Sequence, residues 1–137
     1  MIIKLGAIGD LLMCTPAFRA IKQSQLFDRV DLLVGESNYA AVQNNPNIDK
    51  LIRVNDKILY TSNVVIKLFY SLLIIIRLRK TEYDCIINMH RDWKINVLAR
   101  FISAKERIGF ARDLKGLFLD RSVLISGLTH HIDHYLR

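Results

Sequence analysis

Short runs of apolar and β-branched residues alternate with longer helical patterns along this chain. Strands are predicted at residues 1–5, 30–35, 50–54, 83–89 and 106–110. Helices are predicted at 10–23, 37–45, 63–80 and 93–103, with a last one beginning at Thr129. Strands separated by helices pair in parallel through right-handed crossovers. We therefore predict an α/β fold, a Rossmann-like parallel sheet with helices on both faces.

Length and composition fit one domain with a hydrophobic core. The chain has 137 residues, of which 51% are hydrophobic and 24% are charged, as in globular rather than disordered proteins. No repeat, low-complexity segment or linker divides it, so we expect a single domain over residues 1–137. The net charge of +7 favours an anionic partner, which is a nucleic acid, a phosphorylated small molecule or an acidic membrane surface.

The two cysteines, Cys14 and Cys85, lie far apart within apolar segments. This placement predicts buried thiols in a reducing compartment rather than a disulfide framework. The N-terminal residues lack the basic and long apolar regions of a signal peptide. Both observations favour the cytoplasm.

The segment GAIGD, residues 6–10, follows the first predicted strand directly. Gly6 and Gly9 are expected to allow a tight turn, Asp10 to be the N-cap of the next helix, and Pro16 to bend or shorten that helix. The spacing matches neither a dinucleotide-binding motif nor a P-loop. Two interpretations stay open: a capping aspartate, or a carboxylate at the mouth of a ligand cleft.

A second polar cluster, HRDWK at residues 90–94, follows the fourth predicted strand. Asp92 is expected to cap the next helix and Trp93 to pack against the core. Arg91 and Lys94 are suited to holding a phosphate or a carboxylate. Because ligands bind beyond the carboxyl ends of parallel strands, both this cluster and Asp10 belong to the ligand-facing edge.

Two other groups of residues match no motif of a known site, although a histidine at the start of the last helix could hydrogen-bond across a cleft. His130, His131 and His134 include one pair spaced by a helical turn, but further ligands at zinc-site spacing are missing, so no metal site is predicted. The basic residues between positions 105 and 115 are interpreted as a solvated face. They are Lys105, Arg107, Arg112 and Lys115.

The helix predicted at 63–80 is strongly apolar, yet it is too short to span a bilayer and contains Lys67. One interpretation is that it packs against the sheet. The other is contact with a membrane interface, which the flanking Arg77, Arg79 and Lys80 favour.

Several segments, taken in order, resemble the N-terminal half of glycosyltransferase family 9, the lipopolysaccharide heptosyltransferases. They are IIKLGAIGDLLMCTPAFRAIK, VDLLVGESNYAAVQNNPNIDKLIRV, YDCIINMHRDWKINVLARFISAKERIGF and HHIDHYL. The most specific parts are LGAIGDLLMCTPA and ERIGF. The segments NDKILYTSN and ARDLKGLFLD do not match and are interpreted as variable loops.

The resemblance implies the N-terminal lobe of a GT-B fold, in which two Rossmann-like lobes face a cleft. It implies inverting transfer of heptose from ADP-heptose to the lipopolysaccharide inner core, with no metal or other cofactor. Asp10 matches the proposed catalytic base of the family. The predicted substrate-binding residues are the loop glycines Gly6 and Gly9, the basic Lys94, His130 of the H-x-x-x-x-Y-L stretch, and His90 and Arg91 of the second cluster.

The implied partners are a nucleotide-sugar donor and a lipopolysaccharide acceptor, with an anionic membrane surface as a further one and no nucleic acid. The implied location is cytoplasmic, including the inner face of the bacterial inner membrane. A C-terminal donor-binding lobe is not represented in these residues, so the chain alone is expected to be inactive. The alternative is a truncated, non-catalytic module that binds lipid or a protein partner.

Overall fold

A six-stranded parallel sheet organises the computed structural model, which describes residues 1–111 and 118–124. The strands are β1 (Ile2–Ile3), β2 (Asp31–Gly35), β3 (Lys50–Val54), β4 (Tyr83–Asn88), β5 (Ala104–Ala111) and β6 (Arg121–Leu124). The helices are α1 (Ile8–Met13), α2 (Thr15–Gln23), α3 (Tyr39–Val42), α4 (Asp56–Thr61), α5 (Val64–Arg79) and α6 (Trp93–Phe101). A 3₁₀ turn at Glu36–Asn38 precedes α3.

The strand order is β3-β2-β1-β4-β5-β6, and every neighbouring pair is parallel. The chain winds outward from β1 in one direction through β2 and β3, and in the other direction from β4 through β5 and β6. The loops that follow β1 and β4 therefore leave in opposite directions. Such a switch point opens a crevice at the carboxyl ends of the two strands.

Both faces of the sheet are buried, which explains the nearly continuous apolar runs of the strands. Leu32 and Leu33 are adjacent in β2, and each belongs to a different hydrophobic cluster. One cluster includes Phe18 of α2, and the other includes Ile74 of α5 and Ala99 of α6. The predicted sheet with helices on both faces is confirmed.

The helix predicted over residues 10–23 consists of two helices, α1 and α2. Helix α1 begins at Ile8, and its N-cap is Ala7, which has a positive φ of 56°. Asp10 therefore lies in the first turn of α1, and the prediction that Asp10 is the N-cap is wrong. Pro16 lies in the first turn of α2, where its missing N–H is tolerated. The prediction that Pro16 shortens the first helix agrees with this position.

The predicted capping of the other helices is partly confirmed. Asp92 caps α6 by accepting a hydrogen bond from the Lys94 N–H at 3.0 Å. The helix predicted from Ser37 was expected to begin with this serine as its cap, but the Ser37 N–H and hydroxyl both donate to Asp56 Oδ1, at 3.2 and 3.0 Å. Trp93 begins α6 with a solvent-exposed side chain, so its predicted packing role is wrong.

The basic stretch that begins at Lys105 divides into different environments. Arg107 is buried and donates to two main-chain carbonyl oxygens at the end of α6, at 3.1 and 2.8 Å. Its interpretation as a solvated residue is therefore wrong, whereas Lys105 is exposed as expected. Arg112 and Lys115 lie outside the described residues.

Both cysteines, Cys14 and Cys85, are free and buried, as predicted. Within the described part of the chain, no helix is long and apolar enough to cross a membrane.

Candidate functional site

The crevice between β1 and β4 opens into a cleft of about 300 Å³. Three segments form its walls: the loop after β1, the loop after β4, and helix α4. The residues that line it are Lys4, Gly6, Ala7, Asp10, Tyr60, His90, Arg91 and Asp92. The two polar clusters found in the sequence therefore meet at one site.

Lys4, just beyond β1, places a buried cation at the base of the cleft. Its side chain is only 3% exposed, and its Nζ lies 3.4 Å from both Asp10 Oδ2 and the Met89 carbonyl oxygen. The Asp10 side chain is 43% exposed. The ion pair thus holds the carboxylate against the cleft wall while part of it stays accessible to a ligand.

The main chain before Gly6 is fixed by two hydrogen bonds to one carbonyl group. The Leu5 oxygen accepts from the Gly35 N–H at 3.1 Å and from Asn38 Nδ2 at 3.0 Å. A Cβ at Gly35 would clash with this oxygen and with the Asp56 side chain. The glycine at the end of β2 therefore allows the close approach that anchors the loop containing Gly6.

His90 links the two loops of the cleft. Its Nε2 lies 3.2 Å from the Gly6 nitrogen, whose N–H donates to it, and 3.4 Å from the Tyr60 hydroxyl oxygen. Burial, with a smaller contribution from the positive charge of Lys4, lowers the pKa of His90 to about 4. At neutral pH the imidazole is therefore uncharged, with Nε2 as acceptor and the ring proton on Nδ1.

Buried amides hold His90 in this position. The His90 N–H donates to Asn88 Oδ1 at 2.9 Å, and Asn88 Nδ2 donates to Asn96 Oδ1 on α6. Both asparagines are almost fully buried. Because a buried amide without a partner is costly, this pair fixes the end of β4 relative to α6.

Tyr60 brings α4 to the cleft and connects it with α5. Burial raises the pKa of Tyr60, with smaller contributions from the charges of Asp92 and Asp56, so its hydroxyl stays protonated at neutral pH. A Cβ at Gly6 would lie 3.4 Å from the Tyr60 oxygen. Lys67 Nζ of α5 donates to the Tyr60 carbonyl oxygen at 3.2 Å.

The structure brings some of the predicted site residues together and separates others. Asp10, Gly6, His90 and Arg91 line the cleft. Gly9 lies exposed in the first turn of α1, where a Cβ would meet no atom within 4 Å. Lys94 is exposed on α6 and does not line the cleft. His130 lies outside the described residues.

Two residues that line the cleft, Lys4 and Tyr60, lie outside both polar segments that the sequence analysis singled out. Lys4 carries a detectable signal, because it is a charged residue near the carboxyl end of an otherwise apolar strand. Tyr60 carries none, since it lies on α4 in a segment interpreted as a loop. Among the described residues, no group of three or more histidines, cysteines and acidic residues is arranged to hold a metal ion.

Comparisons with known proteins agree on one family. The model of glycosyltransferase family 9 (heptosyltransferase) matches residues 73–137. Lipopolysaccharide heptosyltransferase 3 of Escherichia coli strain K12 is 29% identical over 100 residues, which cover 73% of this chain and 28% of that protein.

Two solved structures share the fold. The Escherichia coli heptosyltransferase WaaC with ADP-2-deoxy-2-fluoro heptose has a TM-score of 0.80 and 22% identity, covering 98% of this chain and 44% of that one. The family 9 glycosyl transferase from Veillonella parvula has a TM-score of 0.78 and 23% identity, covering 98% and 38%. The architecture is that of a Rossmann-like α/β lobe of the GT-B fold.

The chain spans less than half the length of these relatives. The residues matched by the family model include the HRDWK loop and β5 but begin after the loop of Gly6 and Asp10. The fold, the curated relatives and the family model agree with the ordered motifs of the sequence. The chain is therefore similar to glycosyltransferase family 9 over residues 73–137, and it shares the fold of heptosyltransferases over most of its length.

Proposed function

We propose that this chain forms the acceptor-side lobe of an inverting glycosyltransferase that transfers heptose from ADP-heptose to the lipopolysaccharide inner core. The observation that carries the proposal is the Asp10 carboxylate, which is partly exposed in the switch-point cleft and held by the buried Lys4. The relatives support this reaction, since two of them are lipopolysaccharide heptosyltransferases. A solved relative that holds ADP-2-deoxy-2-fluoro heptose supports the class of donor.

In the proposed reaction, Asp10 acts as the general base. An acceptor hydroxyl attacks the anomeric carbon of the heptose, its proton passes to Asp10, and the bond from that carbon to the diphosphate oxygen breaks, releasing ADP. Lys4 engages Oδ2 of Asp10, and no hydrogen bond to Oδ1 is formed by the residues in 1–111 or 118–124. The second carboxylate oxygen is therefore suited to receive the proton.

The other cleft residues position the acceptor and the loops. Neutral His90 keeps the main chain of Gly6 in place through Nε2. Arg91 places an exposed guanidinium at the cleft, which suits the phosphates of an acidic acceptor. Gly9, Lys94 and His130 are retained as substrate-binding residues in this proposal. These three residues can contribute only if the acceptor contacts them, or if a donor-binding part like that of the relatives does. This chain does not cover that part.

The proposed transfer uses no metal ion and no cofactor. Cations and main-chain N–H groups can stabilise a departing diphosphate in their place. The acceptor is attached to lipid A, so we place the protein in the cytoplasm, at the inner face of the bacterial inner membrane. Taken alone, the chain is proposed to be inactive.

The experiment is a transfer assay with the protein expressed from its complete reading frame. ADP-heptose and a heptose-deficient lipopolysaccharide acceptor are incubated with it, and the product mass is measured with and without a chelator. A mass increase of one heptose, unchanged by the chelator, supports the proposal. Binding of the acceptor with no transfer from ADP-heptose contradicts it and favours the alternative of a non-catalytic binding module.

A further inference from the structure

Helix α5 contacts the sheet through a narrow strip and leaves most of its apolar surface open. Ile74 and Leu78 are its buried residues. Within the described part of the chain, eight other large apolar side chains of the helix are exposed. They are Val64, Val65, Ile66, Leu68, Phe69, Leu72, Leu73 and Ile76, and we call them the α5 face. The interpretation of α5 as a helix packed on the sheet therefore holds for one strip only.

The arrangement of the α5 face is that of a continuous contact surface. Val65, Leu68, Phe69, Leu72 and Ile76 follow each other at intervals of one, three or four residues, so they form one line on the side opposite the sheet. Phe69 is 64% exposed and Leu68 is 67% exposed. Isolated exposed apolar residues are ordinary, but contiguous patches mark places where a protein contacts a partner or a membrane.

The charges beside the α5 face indicate which contact it makes. Arg77, Arg79 and Lys80 are exposed at the C-terminal end of the helix, and residues 63–80 include no acidic side chain. Among the described residues, none of these three cations forms an ion pair. Apolar side chains beside unpaired cations match a bilayer interface with anionic headgroups.

The position of α5 connects this surface to the cleft. The Tyr70 hydroxyl accepts a hydrogen bond from the Asn55 N–H at 2.7 Å, and Lys67 bonds the main chain of Tyr60, which lines the cleft. From there α5 runs along the sheet towards the start of β4. A surface that contacts the α5 face would therefore lie beside the cleft opening.

We propose that the α5 face docks on an anionic bilayer, with its apolar side chains at the acyl boundary and Arg77, Arg79 and Lys80 among the headgroups. The proposal rests on the proposed function in one respect: membrane docking would bring the cleft to a lipid-linked acceptor. What it adds is the surface of the protein that contacts the membrane, the α5 face. The three cations are attracted to the anionic headgroups, and burial of the apolar side chains adds to the binding.

The test is vesicle flotation of the protein expressed from its complete reading frame. Vesicles of phosphatidylcholine alone are compared with vesicles that include phosphatidylglycerol. We expect flotation with the anionic vesicles and at least ~10-fold weaker binding without the anionic lipid. A variant with Phe69→Glu and Leu72→Glu should lose flotation, whereas Leu26→Glu, at an exposed residue between α2 and β2, should keep it.

The charge contribution is tested separately. Replacing Arg77, Arg79 and Lys80 with glutamine should lower binding to the anionic vesicles, whereas Arg19→Gln on α2, across the sheet from α5, should not. Circular dichroism checks that each variant is folded, which is expected because all substituted side chains face solvent.

Three results would overturn the inference. The first is that the wild-type protein does not float, or floats equally with both kinds of vesicle. The second is that the double variant, Phe69→Glu with Leu72→Glu, binds the vesicles as the wild type does. The third is a dimer in solution that this variant converts to a monomer, which would assign the α5 face to self-association. Flotation does not depend on turnover, so its failure leaves the transfer assay informative, and the reverse also holds.

Discussion

The neutral His90 makes the stability of the fold depend on pH in a defined window. Burial, together with the positive charge of Lys4, lowers the pKa of this imidazole from its usual 6.5 to about 4. A group whose pKa is lower in the folded state binds protons more readily when unfolded. Its stabilising contribution is therefore present above pH 6.5 and is lost as the pH falls from 6.5 towards 4.

The size of the effect follows from these two pKa values. Between pH 7 and pH 5, protonation of His90 in the unfolded state should lower the free energy of unfolding by about 2 kcal/mol. The structural reason is that a proton on Nε2 removes the acceptor for the Gly6 N–H, 3.2 Å away. The cation would also lie near the buried Lys4.

The assay is urea unfolding at pH 7, 6 and 5, followed by circular dichroism, for the wild type and His90→Gln. Glutamine keeps an acceptor for the Gly6 N–H but does not titrate in this range. The stability difference between wild type and variant should shrink by about 2 kcal/mol from pH 7 to pH 5. A difference that is the same at both pH values would refute the assignment of a buried, neutral His90.

Three further substitutions test the packing around the cleft by urea unfolding at pH 7. Gly35→Ala should cost about 1–3 kcal/mol or more, since its Cβ meets the Leu5 carbonyl oxygen; an unchanged midpoint would contradict that close approach. Asn88→Leu should cost about 1–3 kcal/mol, because it leaves the buried Asn96 amide unpaired, and a neutral result would count against the amide pair. Ala7→Gly should stabilise the protein by about 1 kcal/mol, since glycine adopts the positive φ of 56° without strain; destabilisation would mean that this conformation is wrong.

The order of strands and helices could be predicted because apolar periodicity is a local property of the sequence. The buried strand β2 is a run of apolar residues after Asp31, and Asn63 caps α5 by accepting a hydrogen bond from the Ile66 N–H. Helix α4 and strand β6 were missed. Helix α4 is short and lies in a polar segment, and β6 depends on pairing with β5, which is not visible locally.

The position of the site could be predicted from the sequence, but its side-chain contacts could not. Parallel topology places the loops of Gly6 and His90 at one edge, so their meeting follows from the predicted order of strands. The start of α1 could not be predicted, because the positive φ falls on Ala7 rather than on a glycine. The exposure of Trp93 and the burial of Arg107 depend on tertiary contacts, which composition does not determine.

The central claim is that Asp10 is the base of a glycosyl transfer. Its most direct test is kcat for heptose transfer by the protein expressed from its complete reading frame, comparing Asp10→Asn with Asp84→Asn. Asp84 is a matched control, since it also pairs with a lysine, Lys105 at 2.6 Å, but lies near the amino end of β4, away from the cleft. Asparagine can still accept a hydrogen bond from Lys4, so the fold should be retained.

Asp10→Asn should lower kcat by roughly 10²–10⁴-fold with a KM close to that of the wild type, while Asp84→Asn should leave kcat unchanged. If Asp10→Asn keeps most of its turnover, Asp10 is not the base, and the account of this cleft is wrong.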